Sequence, residues 1–326
     1  GRTDLKNRIG WNRNQIADFM QKFGTTLVLL LVCIIMSVSA ESFLTKSNIL
    51  NVMRQTSYTT VVAFAMTLLF IGGMTDLSPG AVMAFTGIFA ANLMGNLGVA
   101  MPVAILATLL LGALVGLING LVITQFDLPP FIVTMAMQTA ARGAALAVTK
   151  GYTVTGLSAE FKFLGQGVLF NILPVPLLLV IILGILTWII LNKTSTGRHI
   201  YAVGGNHFAA EAAGIHIKRL KVGLMVYSGV FAAIAGLILT ARLGVGQPNM
   251  ADGVEFDAMT AVVIGGTSMS GGTGTIYGTV IGSLFMGVLG NMLNILGVDA
   301  YYQQIVRGVI ITAAICLDAV SKRRRK

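Results

Sequence analysis

The sequence carries very little charge. It has 22 lysines and arginines and 12 aspartates and glutamates among 326 residues, which is 10% where a soluble domain has about 25%. Hydrophobic residues make up 55% of the chain, and there are 39 glycines. A globular protein of this length could not hydrate its surface with so few charged side chains, and the apolar content also excludes a disordered chain, a coiled coil and a disulfide scaffold. The composition predicts an integral membrane protein.

Cysteine and histidine are scarce as well. Cys33 and Cys316 lie in apolar runs with no second cysteine or histidine at ligand spacing, so neither a disulfide nor a metal site is expected. The three histidines, His199, His207 and His216, share one basic loop and are expected to be solvated. A phosphate-binding loop is missing because the dipeptide Gly-Lys never occurs, and no hydrolase motif is present. We therefore expect a chain that is not an enzyme and that holds no metal or cofactor of its own.

Positive charge is concentrated in three stretches, residues 2–22, 193–221 and 322–326, each with five of the 22 basic residues. No aromatic side chains are interleaved with the tail, so nucleic acid is not an expected partner; basic loops instead mark the cytoplasmic side of a membrane protein. Between the stretches lie ten apolar runs, most of them near the roughly 20 residues that a spanning helix needs: 23–40, 54–73, 79–98, 101–124, 131–149, 174–191, 222–241, 257–270, 275–297 and 301–320. Six runs precede residue 193 and four follow residue 221. Both numbers are even, as they must be if all three basic stretches are cytoplasmic.

The expected fold is therefore an all-α membrane protein with about ten transmembrane helices and both termini in the cytoplasm. It comprises a cytoplasmic N-terminal segment (1–22), one transmembrane domain (23–321) with a cytoplasmic loop at 193–221, and a basic cytoplasmic tail (322–326). The basic residues and small residues that flank the first apolar run resemble a signal sequence, which we interpret as an uncleaved anchor.

Glycine spacing predicts close packing of helices. Glycines recur at every fourth residue in two runs, Gly112, Gly116 and Gly120, and Gly274, Gly278 and Gly282. Small residues at this spacing let helix backbones approach closely in lipid; contact with a substrate is the alternative. Residues 72–98 and 265–297 also resemble each other, since each has a Gly-Gly pair, a polar turn and an apolar helix. Internal repeats of this kind are common in transporters, and glycine and proline within apolar segments predict broken or re-entrant helices buried in the protein.

Few ionisable groups fall inside the predicted spans. Arg142 does, and it shares a helix face with Gln138 and Thr134, four and eight residues earlier. A polar stripe of this kind either faces a water-filled path or hydrogen-bonds to neighbouring helices, and both alternatives stay open. Asn119 and Asn291 are further candidates for lining a translocation path.

The carboxylates are expected near the membrane boundaries. Asp76, with its neighbours Ser78 and Gly80, and Asp257, two residues after Glu255, are candidates for turns or a gate. A carrier driven by an ion gradient usually places a carboxylate deep in the bilayer. No residue of this sequence is clearly so placed.

Several short motifs together resemble a known family. They are DLSPG at 76–80, TSTGR at 194–198, YAVGGN at 201–206, AGI at 213–215, FDA at 256–258, GGTS at 265–268 and YYQ at 301–303. The chain resembles, over about residues 25–320, the permease subunits of bacterial ATP-driven (ABC) importers for monosaccharides of the ribose, galactoside and xylose type. The GR-x-x-YAVGGN segment is the most specific of the motifs. Among the subfamilies, the ribose permeases are the most similar.

The resemblance implies that the chain forms the gated path for a monosaccharide, most readily ribose, in the bacterial plasma membrane. It implies a periplasmic or surface sugar-binding protein, a separate ATP-binding subunit that uses ATP and Mg²⁺, and a second permease copy as partners. It also implies that the ATPase contacts a short cytoplasmic helix between two glycines, formed by Gly205, Asn206, Ala209, Ala210, Glu211, Ala212, Ala213 and Gly214. The family's EAA-x-x-x-G pattern is not kept, because Glu211-Ala212-Ala213 is followed at once by Gly214.

One alternative belongs to another class of transporter, an ion- or proton-coupled secondary carrier that works without an ATPase. A membrane-embedded enzyme is disfavoured because the sequence offers no catalytic constellation.

Overall fold

The computed structural model describes the backbone of residues 13–323 and the side chains of residues 24–316. The expected segments 1–22 and 322–326 therefore lie partly outside the described residues. The described chain forms thirteen helices and one short hairpin. The elements are α1 (Arg13–Ser39), α2 (Lys46–Ile71), α3 (Pro79–Gly95), α4 (Met101–Gln125), α5 (Pro130–Thr149), α6 (Ala159–Gln166), β1 (Val168–Leu169), β2 (Leu173–Pro174), α7 (Val175–Lys193), α8 (Ser195–Gly205), α9 (His207–Ala212), α10 (Ile217–Leu243), α11 (Val254–Ile264), α12 (Ile276–Ile295) and α13 (Ala300–Arg323).

Each of the ten predicted apolar runs corresponds to one helix, which confirms a helical membrane protein. Helices α6 and α8 and the β1–β2 hairpin were not predicted. Among the described residues, five helices are long and apolar enough to cross a membrane: α4, α5, α7, α10 and α12. Helix α3 and the Gly24–Ser39 part of α1 are apolar but shorter. Helix length and composition thus support five spans and do not confirm ten.

The run at 257–270 differs most from its prediction. It contains the 11-residue helix α11, which is about 16 Å long, whereas the hydrocarbon core of a bilayer is about 30 Å thick. Gly253, with φ +78°, precedes the helix, and Gly266, with φ +87°, follows it. Glycine adopts these left-handed conformations without strain, so the glycines limit α11 to three turns. Alone, α11 is too short to span.

The predicted internal repeat is visible in the way α2 and α11 end. After α2, the N–H groups of Gly72, Gly73 and Met74 donate to the carbonyls four, three and five residues earlier. The N–H groups of Gly265, Gly266 and Thr267 follow the same pattern after α11. Both helices therefore stop in the same glycine-dependent cap, and the chain breaks its helical path at both places.

Helix α10 is the centre of the bundle. It buries 67% of its most apolar stretch, whereas α4, α5 and α7 bury 28% or less. Its first residue, Ile217, packs against α8 and α9, while Gly165 of α6 meets Ala241 and Arg242 near its last residue. Helix α10 therefore connects two ends of the bundle, which we name the α8–α9 end and the α6 end.

The glycine ridges are contacts between helices, as predicted. The glycines of the first ridge belong to α4 and pack against α10: Gly112 meets Gly229, Gly116 meets Met225 and Gly120 meets Val222. The glycines of the second ridge lie in and just before α12 and pack against α11 and the loop that follows it: Gly274 meets Thr267, Gly278 meets Gly265 and Gly282 meets Ala261. At Gly116, Gly278 and Gly282 a methyl group would overlap a backbone carbonyl of the partner segment. Only glycine lets the backbones lie this close.

The first prediction follows from the α4–α10 contact. Gly116→Leu should destabilise the folded protein by more than the roughly 1–3 kcal/mol typical of overpacking, because the obstacle is backbone rather than a flexible side chain. The matched control is Gly143→Leu, since a side chain at Gly143 of α5 meets nothing within 4 Å. The measurement is the yield and thermal unfolding of both variants in detergent. Equal stability of the two would show that α4 and α10 do not meet at Gly116.

Candidate functional site

Helices α3 and α11 both begin inside the bundle rather than at its surface. The stretches that lead into them, residues 74–78 and 244–253, are not helical. We name these two stretches the first and the second interrupted segment. The two helix starts face each other, because a methyl group on Gly80 would overlap the carboxylate of Glu255. Around them lies a cluster that we name the polar junction. It consists of Asp76, Ser78, Asn119, Thr134, Gln138, Ser228 and Glu255, of which all but Gln138 are buried.

Asp76 ties the first interrupted segment to α10. One carboxylate oxygen accepts hydrogen bonds from the N–H and hydroxyl of Ser78 at 2.8 and 2.6 Å, and the other accepts from the Ser228 hydroxyl at 2.7 Å. Asn119 of α4 donates to the Ser78 hydroxyl at 3.4 Å. Ser228 is more than ten residues from either end of α10. Asp76 therefore lies deep in the bundle instead of at the expected boundary.

The polar stripe of α5 binds both interrupted segments. Thr134 accepts from the N–H of Leu77 at 3.0 Å. Gln138 donates to Glu255 at 2.8 Å. Arg142 donates to the carbonyls of Pro248 and Met250 at 2.6 and 2.9 Å. These contacts support the second alternative for the stripe, in which its side chains hydrogen-bond to neighbouring segments rather than face a water-filled path.

Glu255 was not among the predicted site residues. It is 1% exposed, and one of its carboxylate oxygens has no hydrogen-bond partner in the described part of the chain. It lies in the first turn of α11 and beside the first turn of α3, where helix dipoles place partial positive charge. The two helix starts therefore offset part of the unfavourable burial of this carboxylate. The sequence did contain a signal that could have identified Glu255, namely an acidic residue at the start of a predicted apolar helix.

Asn291 and Asp257, which were also predicted, lie away from the polar junction. Asn291 of α12 exchanges two hydrogen bonds with Asn48 of α2, at 2.7 and 3.0 Å. Asp257 forms an ion pair with Arg307 of α13 at 2.9 Å. Each contact joins neighbouring helices towards the α6 end. A role for Asn119 and Asn291 in a path, and for Asp76, Ser78, Gly80 and Asp257 in a gate, stays a prediction.

The loop after α7 folds as a pair of short helices. The Thr194 hydroxyl accepts from the N–H of Gly197 to begin α8, and the Asn206 side chain accepts from the N–H of Ala209 to begin α9. Gly214, with φ +84°, follows the last turn. The short helix predicted between Gly205 and Gly214 is therefore present.

The alanines of α9 do not all face outward. Ala210 is 4% exposed and packs against Val203 and Ile217, because it lies on the inner face of the helix. By contrast, Phe208 is 81% exposed, which is unusual for a phenylalanine at a polar surface. The outward residues form what we name the docking surface: Phe208, Ala209, Glu211, Ala212 and Ala213.

Helix α8, which directly precedes the docking surface, contacts the end of α2 and the loop after α11 through glycines. Gly204 of α8 lies against the carbonyl of Ile71 at the end of α2 and against the backbone of Gly271 and Gly272. The N–H of Gly272 donates to the Ile71 carbonyl at 2.8 Å. The Tyr201 hydroxyl donates to the Gly274 carbonyl at 2.8 Å. We name this contact the glycine joint; it connects α8 with the breaks after α2 and α11.

A helical bundle with interrupted segments, a buried polar junction and an exposed helical loop defines a multi-pass membrane protein of the transporter type. Comparison with known proteins agrees. The family described as the permease component of the branched-chain amino acid transport system matches residues 48–315. The chain belongs to this permease family. No solved structure matches it.

Individual relatives are similar over nearly their whole length. The ribose import permease protein of Bacillus subtilis is 43% identical over 301 residues, covering 92% of this chain and 93% of the relative. The ribose import permease protein of Escherichia coli is 39% identical, covering 90% and 92%. The D-allose transport system permease protein of Escherichia coli is 37% identical, covering 93% of each chain.

The second prediction concerns Asp76. Asp76→Asn keeps one oxygen for Ser78 and offers an amide donor to Ser228, so folding and transport should persist. Asp76→Leu leaves three donors without an acceptor at about 1–3 kcal/mol each, so it should lower the melting temperature and abolish transport. The measurement is thermal unfolding with sugar uptake in membrane vesicles. Loss of uptake in a normally folded Asp76→Asn variant would assign the carboxylate's charge a role in transport.

Proposed function

We propose that the chain is the membrane-spanning permease subunit of an ATP-driven importer for a monosaccharide, with ribose as the substrate. The observation that supports this proposal most strongly is the similarity to ribose import permeases, which covers at least 90% of this chain and of each relative. The family description mentions branched-chain amino acids, but the similar relatives named for a substrate include those for ribose, xylose and D-allose. Sugar is therefore the better assignment within the family.

The division of labour follows from this proposal. The chain forms the path and does not hydrolyse ATP; a separate ATP-binding subunit uses ATP and Mg²⁺. A periplasmic or surface sugar-binding protein delivers the sugar, and a second copy of the chain completes a homodimer in the bacterial inner membrane. An ion-coupled carrier has less support, because the relatives named for a substrate are sugar permeases.

We infer that ten segments cross the bilayer and that the α8–α9 end is cytoplasmic. Helices α3 and α11 cross together with the non-helical stretches that precede them. Five basic residues lie between 193 and 221, at the α8–α9 end, which supports a cytoplasmic position. The contact of Thr25 with the Ile264 carbonyl at 2.7 Å supports the same side for the start of the first apolar run.

The third prediction tests this orientation. With Cys33 and Cys316 replaced by alanine, a cysteine introduced at Ser195 should react with a membrane-impermeant thiol reagent only after the cells are opened. A cysteine at Phe170, which is 91% exposed at the α6 end, is the matched control and should react in intact cells. Labelling of the Ser195 cysteine in intact cells would reverse the proposed topology.

We assign the docking surface to the ATP-binding subunit. Phe208 offers a large apolar side chain, and small alanines beside it allow a partner groove to close around the helix. Burial of a phenylalanine contributes about 1.5–3 kcal/mol, which corresponds to a change in affinity of roughly tenfold or more. Ala210 is excluded from this contact by its inward position.

The fourth prediction tests the proposed function through this surface. Phe208→Asp should reduce co-purification of the ATPase at least tenfold and abolish ATP-dependent ribose uptake in proteoliposomes, while the permease itself unfolds at the wild-type temperature. Tyr152→Asp, at a residue that is 76% exposed and close to the α6 end, is the matched control and should keep both properties.

Two results would contradict the proposal. If wild-type uptake needs no ATP and collapses when the proton or sodium gradient is removed, the chain is a secondary carrier. If Phe208→Asp keeps the ATPase bound, the docking surface is wrongly assigned. Ala210→Asp serves as a third variant, and it should lower the melting temperature because it places a charge in the packed contact with Val203 and Ile217.

A further inference from the structure

An open cavity of about 240 Å³ lies between α2, α10, α11, α12 and α13, towards the α6 end. Its wall on one side is the stretch 250–254, part of which Arg142 holds in place. Asp252, whose side chain is 82% exposed, lies at its rim. The residues of the polar junction do not line the cavity. It is therefore a separate space, built against the second interrupted segment.

The lining offers hydrogen-bonding groups that nothing else in the described chain uses. The Ser283 hydroxyl is buried, with the residue 1% exposed, and has no partner. The side-chain amides of Gln55 and Gln247 also form no hydrogen bond within the described residues. A buried hydroxyl without a partner is unfavourable, because it has lost its hydrogen bonds to water and gained none in the protein. A polar ligand in the cavity would satisfy it.

The charged groups of the cavity favour a neutral ligand. Asp257 and Arg307 are paired at 2.9 Å across its wall, and Asp252 at the rim lies 3.9 Å from the guanidinium of Arg142. Each carboxylate is thus compensated by a guanidinium, so the cavity has no excess of either charge. Amides, a hydroxyl, a carboxylate and a guanidinium, with Tyr58 beside them, are groups that bind the hydroxyls of a polyol as both donors and acceptors.

The volume of the cavity sets the size of the ligand. Drug-sized ligands occupy sites of about 300–1,000 Å³. A cavity of about 240 Å³ therefore suits a smaller molecule, such as a pentose or hexose.

From these observations we propose that the cavity is a monosaccharide subsite of the permease, reached from the α6 end. The proposal rests on the proposed function for its substrate class. Ser283, Gln55 and the Asp257–Arg307 pair bind the sugar hydroxyls. The stretch 250–254 closes one side of the subsite.

Gly290 provides a direct test. It lines the cavity, and the nearest atom to a side chain placed there is the Gln55 amide nitrogen at 3.8 Å. In a protein with Cys33 and Cys316 replaced by alanine, D-ribose should slow modification of Gly290→Cys by a soluble thiol reagent. Ribose 5-phosphate should not slow it. Gly308→Cys on α13, where nothing lies within 4 Å, should react at the same rate with and without ribose.

A second series measures transport. Gly290→Ala, Gly290→Val and Gly290→Leu fill the cavity stepwise, so uptake of ribose should fall progressively to less than a tenth of wild type. Melting temperature and ATPase co-purification should stay unchanged, as should uptake by Gly308→Leu. Ser283→Ala should raise the KM for ribose several-fold with little change in maximal rate.

The possible outcomes distinguish a failure of the subsite proposal from a failure of the proposed function. Protection of the Gly290 cysteine by ribose, with stepwise loss of uptake, supports the subsite. Equal labelling with and without ribose, in a protein whose uptake needs ATP, overturns the subsite and leaves the proposed function intact. Protection in a protein whose uptake needs no ATP supports the subsite and contradicts the ATP-driven importer.

Discussion

Backbone that leaves a helix inside an apolar bundle must find hydrogen-bond partners within the protein, because neither lipid nor apolar side chains supply them. Two stretches of this chain, 74–78 and 244–253, are in that position. Side chains of one helix, α5, meet part of this requirement for both of them. Thr134 of α5 binds the first stretch and Arg142 binds the second. Gly246 in the second stretch pairs with Val154, and the N–H of Ser78 at the end of the first donates to Asp76.

The same requirement explains which polar side chains are engaged within the bundle. Thr134, Gln138 and Arg142 are engaged with the interrupted segments, and the amide of Asn291 is engaged with Asn48. These side chains hold the bundle together. Among the buried polar atoms without a partner in the described residues, the Ser283 hydroxyl lies in the cavity, and one oxygen each of Asn119 and Glu255 lies in the polar junction. Hydrogen-bond partners, rather than polarity alone, therefore distinguish the side chains that hold the bundle together from the groups that are left unsatisfied.

Local features of the sequence predicted much of the fold. Apolar runs are local, so the positions of ten helices followed from them, and glycine pairs predicted the breaks after α2 and α11. The predicted span at 257–270 was too long because apolar composition does not show where a glycine in the left-handed conformation stops a helix. Asp76 was expected at a boundary because its hydroxyl partner, Ser228, is distant in sequence. The inward position of Ala210 likewise depends on Val203 and Ile217, whose packing a local pattern does not reveal. Glu255 did have a local signal, as an acidic residue at the start of a predicted apolar helix, but its contacts with Gly80 and Gln138 are distant in sequence.

The glycine joint has a mechanical consequence. At Gly204 the backbones of α8, of the end of α2 and of the loop 265–275 are in direct contact. No flexible side chains lie between them that could adjust to a displacement. A displacement of α8 would therefore be transmitted directly to the end of α2 and to the loop 265–275. Those two places are where the helical path is already broken, and hence where the chain bends most easily. The glycine joint would thus couple a movement of α8 and α9 at the surface to the two breaks in the helical path, after α2 and after α11.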